Sequence, residues 1–244
     1  MARDGEATWT AATYDAWFER PWGRHAFAVE STAVLAALGP LAGRRVLEVG
    51  CGTGRLLAEM TERGAMAIGL DREPAMAELA TRRTRAPVLR ADAGALPFPE
   101  ASLDAVVAVA LLEFVADPAG VMAELCRVTR PEGRVVIGAL NVRSPWGMAH
   151  RRGLRRTPWT AARFLARHEL RALAAPVGEA TLHGTLLLPG PVPGLARWGP
   201  LLESLGRLVP QAGAFQVLAI DRRQSWRSVA NSPAIAVEDR TSGR

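Results

Sequence analysis

The chain has no lysine; all 30 of its basic residues are arginine. That excludes a phosphate loop of the Gly-Lys-Ser/Thr type, a pyridoxal phosphate Schiff base and any lysine nucleophile. The base composition of a gene produces such a bias as readily as function does. Cysteine is scarce as well, with only Cys51 and Cys126, so neither a disulfide framework nor a structural zinc site is expected. A reducing cytoplasm is the expected compartment. The sequence lacks an apolar run of about 18 residues, and with it any membrane span. Arg3, Asp4, Glu6 and Asp15 leave no room for a signal-peptide core. Tyrosine occurs once, as Tyr14, and none of the seven tryptophans (9, 17, 22, 146, 159, 198 and 226) falls between residues 27 and 140. The net charge of +6 attracts anions mildly, which alone does not imply nucleic acid.

What is present is alternation. With 244 residues there is room for one sizeable α/β domain with additions. Apolar patterning gives a helix at 26–38, strands at 45–49, 65–70, 87–91, 104–109 and 133–140, and helices at 54–63, 74–83 and 118–129. Pro74 suits a first helical turn. Strands alternating with helices indicate a parallel sheet covered on both faces. Further on come a helix at 159–174, strands at 179–188 and 214–221, and a short helix at 194–208 between them. Residues 225–244 are polar and read as a disordered tail.

The densest information lies in residues 46–56. An apolar strand (Val46, Leu47, Val49) enters a loop with glycine at every second position, Gly50, Gly52 and Gly54, and a helix follows. Glycine permits a tight turn and close approach of a ligand to the backbone. Strand, loop and helix N-terminus together make a nucleotide-binding corner. A dinucleotide fingerprint places its third glycine three residues after the second, where this chain has Arg55. Here the third glycine comes after two, and Glu48 precedes the first by two.

That register resembles motif I of the class I S-adenosylmethionine-dependent methyltransferases, of the small-molecule, methyltransferase type 11 or quinone-biosynthesis kind. Asp71 at the end of the second strand, the run Val88-Leu89-Arg90-Ala91-Asp92-Ala93, the segments Leu96-Pro97-Phe98 and Ser102 to Val107, and Arg130-Pro131-Glu132-Gly133-Arg134 resemble its later motifs. In that last turn the family more often has glycine where this chain has Glu132. The match covers roughly residues 44–141. It implies a Rossmann-like, doubly wound, seven-stranded, mostly parallel sheet with one antiparallel strand and helices on both faces. It also implies an N-terminal lid at 1–25, a single domain at 26–224 with its cofactor core at 44–141, and acceptor-side additions at 142–212.

The implied cofactor is S-adenosylmethionine. Gly50, Cys51, Gly52 and Gly54 approach its amino-acid end and ribose; Glu48 supports the loop by holding backbone N–H groups or contacts the cofactor amino group through water, with a loop cap as the rival reading. Asp71 takes the ribose hydroxyls, or caps the Pro74 helix. Arg72 and Met76 pack on adenine, with plain core as the rival reading of Met76. Asp92, with Ala93, reads the adenine amino group, or is a turn acid; Val109 separates cofactor from acceptor; Tyr14 contacts the amino-acid end. Trp17 and Trp146 wall an apolar or aromatic small-molecule acceptor. Relatives carry a His-His pair where this chain has Glu113-Phe114, so Glu113 is a candidate general base or else a capping acid. His25 and His150 are rival bases, while His168 and His183 read as surface residues. The arginines 143, 151, 152, 155 and 156 form a solvated face or an anion contact. No RNA-binding module and no basic–aromatic stacking platform is visible. The alternatives are a catalytically silent cofactor-binding module and, against the register of Arg55, a nicotinamide-dependent oxidoreductase.

Overall fold

The computed structural model describes residues 10–152, 161–186 and 212–222. Two helices come first, α1 (Ala11–Phe18) and α2 (Pro21–Leu38). Thr10 caps α1 by accepting from the Thr13 amide at 3.2 Å. Pro21 opens α2 five residues earlier than the apolar pattern predicts, at the position where its missing N–H costs nothing. The two helices cross where Gly23 sits against the backbone of Trp17 and Phe18; a Cβ there would meet Trp17 O at 2.1 Å.

The sheet consists of β1 (Arg45–Val49), β2 (Met66–Asp71), β3 (Val88–Arg90), β4 (Leu103–Val109), β5 (Thr129–Leu140), β6 (Gly178–Thr185) and β7 (Phe215–Arg222). Their order is β3-β2-β1-β4-β5-β7-β6. Strand β7 runs antiparallel to both neighbours and every other pairing is parallel. The expected seven-stranded sheet with one antiparallel strand is therefore the one found. Connecting helices are α3 (Arg55–Glu62), α4 (Pro74–Arg83), α5 (Pro118–Val128), α6 (Pro145–Arg151) and α7 (Arg167–Ala174).

Strand period two sorts side chains between two cores. Val46, Ala105, Val107 and Val136 join Leu38, Leu57, Met60 and Phe215 on one face. Leu47, Val106, Val135 and Ile137 join Leu125, Leu170 and Leu218 on the other. Each fully buried aliphatic of this kind contributes roughly 1.5–3 kcal/mol. Gly138 leaves room on the first face for Phe215, whose ring a Cβ would meet at 2.4 Å. The same alternation turns Glu48 toward the face that carries α2 and α3. Glu132 stands in the left-handed region at φ 63°, which explains why glycine suits that place.

Two departures concern the segment after β5. The helix predicted from 159 begins only at Arg167. Residues 159 and 160 lie outside the described residues, and 161–166 form no helix. Leu165 donates to Leu140 O at 3.1 Å and accepts from the Val142 amide at 3.3 Å, so its backbone extends the sheet where the helical period predicts a turn. Conversely, α6 carries a readable start that the pattern overlooked: Ser144 accepts from the Gly147 amide at 2.9 Å, and Pro145 follows it. The predicted helix at 194–208 and the polar tail lie outside the described residues.

Candidate active site

The carboxyl ends of β1, β2 and β4 open onto one cavity of about 270 Å³. This is where open α/β sheets bind ligands. Its walls include Tyr14, Gly50, Gly52, Asp71, Arg72, Met76, Asp92, Ala93 and Val109, nine of the residues expected from the sequence, together with Leu111, Phe114 and Val115. A larger recess of about 930 Å³ lies between α2 and the β6–β7 edge, lined by Ala33, Ala36, Thr185, Gly213 and others. None of its lining residues belongs to the glycine loop or to the carboxyl ends of β1, β2 and β4.

The loop explains its own composition. Gly50, Gly52 and Gly54 have φ of 72°, 52° and 78°, all left-handed. A Cβ on Gly54 would strike Ala80 of α4 at 2.9 Å, whereas one on Gly52 would meet only Tyr14, at 3.9 Å. Gly52 thus turns bare backbone toward the cavity. Asp71 holds it there: Oδ2 accepts from the Gly52 amide at 2.8 Å and Oδ1 from the Glu73 amide at 2.9 Å. Each carboxylate oxygen keeps a lone pair for a further donor. Both readings of Asp71 coexist in part, since its Glu73 contact organises the approach to α4 while Glu73 itself is the N-cap.

Other expected residues sit behind the surface. Cys51 is buried with its sulfur toward Gly69 of β2, and burial pushes its thiol up, helped by Glu48 and Asp71. Burial first and Asp71 second hold the Glu48 carboxyl well above the usual range, with the Leu57 backbone in α3 pulling the other way. Its Oε2 meets no partner among the described residues. Glu48 thus keeps one buried oxygen to spare beneath the loop. Asp92 is exposed at the cavity rim and accepts from Gly94 at 2.8 Å. Ala110, also in the wall, is held at φ 48°.

Trp17 and Trp146 do not line this cavity. Both pack against the first core. Trp17 meets Phe18 edge-on at 4.9 Å, and Trp146 lies 5.1 Å from Phe164, whose ring stacks on His150 at 4.1 Å. His150 Nε2 also lies 3.3 Å from Ala162 O. A ring stacked and hydrogen-bonded in this way is poorly placed as a base. His25 stands edge-on to Trp22 at 5.6 Å. His168 and His183 are exposed on α7 and β6, as expected. Arg143, Arg151 and Arg152 are exposed; Arg155 and Arg156, like Trp9, Trp159, Trp198 and Trp226, lie outside the described residues.

Glu113 is 3% exposed. Its Oε1 accepts from the Leu140 amide at 2.6 Å at the end of β5, and Oε2 meets no partner among the described residues. Burial pushes its carboxyl up to about 7. It stands outside the cavity wall rather than in it.

The sequence reading missed two features. Asp15 of α1 accepts from Thr53 Oγ1 at 2.8 Å, Arg55 Nε at 3.0 Å and Arg83 at 2.7 Å, while Arg55 also binds Glu19 and lies 5.3 Å over the Phe18 ring. Arg55, at the place of a dinucleotide glycine, ties α1 across the loop. The second is Glu30. Four residues from buried Ala26 and four from buried Val34, it lies on the inward stripe of α2. A charged residue on that stripe was the available signal.

The strand order, the left-handed glycine loop and the cavity beside it define a nucleotide-cofactor enzyme fold of the Rossmann-like class. Residues 47–137 match the family described as "Methyltransferase domain". A solved S-adenosylmethionine-dependent methyltransferase of Thermotoga maritima, described as a possible histamine N-methyltransferase, superposes with a TM-score of 0.70 at 26% identity, covering 87% of this chain and 96% of that one. An uncharacterized Mycobacterium tuberculosis protein is 36% identical over 191 residues, 77% of this chain and 64% of that protein. The chain therefore spans less than two thirds of that relative's length. The demethylmenaquinone methyltransferase of Tropheryma whipplei is 36% identical over 108 residues, 43% of this chain and 45% of that enzyme. Over residues 47–137 the chain is thus similar to the S-adenosylmethionine-dependent methyltransferases in both sequence and fold.

The residues present fit that family's cofactor. Gly52 offers unobstructed backbone, Asp71 keeps acceptor capacity toward the cavity, and Glu48 holds a buried, unpartnered oxygen beneath the loop.

Proposed function

We propose that this chain transfers a methyl group from S-adenosylmethionine to a small acceptor that has a substantial apolar or aromatic part. The observation that carries the proposal is the cavity itself, where bare loop backbone, Asp71 and Asp92 converge beside the apolar side chains of Met76, Val109, Leu111 and Val115. Two relatives are named for small acceptors, a demethylated menaquinone and, for the Thermotoga protein, possibly histamine.

Bound at this site, S-adenosylmethionine supplies a methyl group on a sulfonium with a good leaving group already attached. The work left to the protein is positioning and exclusion of water. Gly50 and Gly52 would set the distance of the amino-acid end from the backbone. Asp71 would orient the ribose through its remaining lone pairs, and Asp92 with Met76 would flank the base. Helix α1, pinned by Asp15, covers the loop and brings Tyr14 to the cavity. Glu113 is the proton acceptor of this reading, since a carboxyl pushed up to about 7 exchanges its proton near neutral pH.

Calorimetry with S-adenosylhomocysteine tests the cofactor half. Micromolar binding, with no response to NAD, is the expected result; NAD binding alone would sink the proposal. Incubation with methyl-labelled cofactor and a cell extract, followed by identification of the labelled product, tests the acceptor half.

A further inference from the structure

Between residues 133 and 168 the sequence carries eight arginines and neither Asp nor Glu. Elsewhere arginines find acids: Arg82 pairs with Glu78 one turn back on α4, and Arg127 with Glu124 on α5 at 2.6 Å. Arg143, Arg151 and Arg152 are exposed, and their guanidinium groups pair with no acid among the described residues.

Helix α6 lies between these three cations. Its inner side is packed: Ser144 and Gly147 are buried, and the Trp146 ring lies 5.1 Å from Phe164. Its outer side reads Pro145, Met148, Arg151 and Arg152, spaced as successive turns of one face. Met148 is 41% exposed. A large apolar side chain thus stands in water, with Arg143 before it and Arg151 and Arg152 after it.

This face lies at the working end of the sheet. Strand β5 runs parallel to β4, so α6, which follows β5, stands beyond the carboxyl ends onto which the cavity opens. A chain of contacts joins the two places. His150 of α6 stacks on Phe164 at 4.1 Å, and the neighbouring Arg163 amide donates to Glu113 O at 2.9 Å. Phe114, next in sequence, is in the cavity wall. Single-stranded nucleic acid asks a basic surface for exposed rings on which bases stack, and Trp146 is turned inward. An anionic leaflet asks for arginines at the level of its headgroups and an apolar side chain beside them. The outer side of α6 has the second composition.

We propose that this face docks on an anionic bilayer, with Arg143, Arg151 and Arg152 on the headgroup phosphates and Met148 inserted between them. The docking stands without the methyltransferase reading. Joined to that reading, it turns the cavity end toward the membrane, from which an apolar acceptor reaches the site without crossing water.

The test is co-sedimentation of the full chain with vesicles of phosphatidylcholine alone and of equal parts phosphatidylcholine and phosphatidylglycerol. Binding to the mixed vesicles, little binding to phosphatidylcholine, and release by added salt are expected. An arginine near an anionic leaflet strengthens binding about fivefold, so Arg143→Gln, Arg151→Gln and Arg152→Gln together should weaken it by about tenfold or more. Met148→Ser should weaken it several-fold. A control that removes the same charge at other exposed arginines, Arg20→Gln with Arg45→Gln and Arg85→Gln, should weaken it far less. Unchanged thermal melts show that the variants fold. Equal binding to both vesicles, no binding, full binding by the α6 triple variant or by Met148→Ser, or a control loss as large as the α6 loss would each overturn the proposal. Tighter binding to poly(U) than to the mixed vesicles, lost in the same triple variant, would overturn it too and give the face to nucleic acid.

Discussion

Asp71 works twice over. Its oxygens hold the Gly52 and Glu73 amides at 2.8 and 2.9 Å, and its free lone pairs face the cavity. Asp71→Ala should therefore weaken S-adenosylhomocysteine more than tenfold, since each charge-assisted hydrogen bond is worth roughly 1.5–3 kcal/mol. It should also lower stability by about 1–3 kcal/mol through the orphaned amides. Calorimetry and urea melts separate the two effects; unchanged affinity with lowered stability would reduce Asp71 to a loop support. Gly52→Val should be worse for binding, because a β-branched residue at φ 52° is strained and its side chain projects toward Tyr14 across the cavity mouth. Full cofactor affinity in this variant would mean the ligand passes elsewhere. These residues were legible because the loop's chemistry is local: alternate glycines mark alternate left-handed positions. Glu30 was not legible, since one acid in an amphipathic helix means nothing until the fold shows which stripe is buried. Nor does sequence show that Trp17 and Trp146 turn their rings into the core.

Among the elements, α1 has the simplest attachment. It is short, buries only Ala11 and Phe18 of its own length, and is held to the loop chiefly through Asp15. Burial pulls the Asp15 carboxyl up, but hydrogen bonds from Arg83, Thr53 and Arg55 outweigh it and hold the group below the usual range. Its contribution is thus present at neutral pH and lost as pH falls below the ordinary aspartate value. Asp15→Ala should cost about 1–2 kcal/mol of α1 docking, read as faster amide exchange over residues 11–18 with exchange in β1 and β4 unchanged. Cofactor affinity should fall a few-fold and turnover much further, as for a loosened lid. Uniform protection would show that packing alone holds α1. Deleting residues 1–19 should give the same pattern more strongly. A cut at residue 24 would also remove the first turn of α2. The strands were readable to within a few residues because buried parallel strands are continuous apolar runs. The segment at 161–166 was misread because its backbone pairs with β5, a long-range choice that a helical period cannot reveal.

At the scale of the whole molecule, several buried acids hold their protons more tightly than they would in the unfolded chain. Glu30 and Glu113 hold their protons to about 8 and about 7, and Glu48 is raised as well; in the unfolded chain such groups release them near 4.3. Across that window the folded state binds more protons than the unfolded one, so stability is greatest below it and falls as pH rises through the folded values. Tyr14 and Cys51, raised further still, stay neutral throughout. Melts from pH 5 to 8 should show this decline, and Glu113→Gln should flatten it by up to about 3 kcal/mol at pH 8, at about 1.4 kcal/mol per tenfold change in proton affinity. A cation bound near these groups draws their protons off, so its affinity must rise over the same window. S-adenosylmethionine carries one net positive charge, whereas S-adenosylhomocysteine carries none. The ratio of their affinities should therefore shift several-fold toward S-adenosylmethionine between pH 6 and 8, with proton release on binding. Calorimetry in two buffers of different ionisation enthalpy measures both quantities. A ratio that stays flat with pH, with no proton released, would mean that the acids lie beyond the reach of the sulfonium.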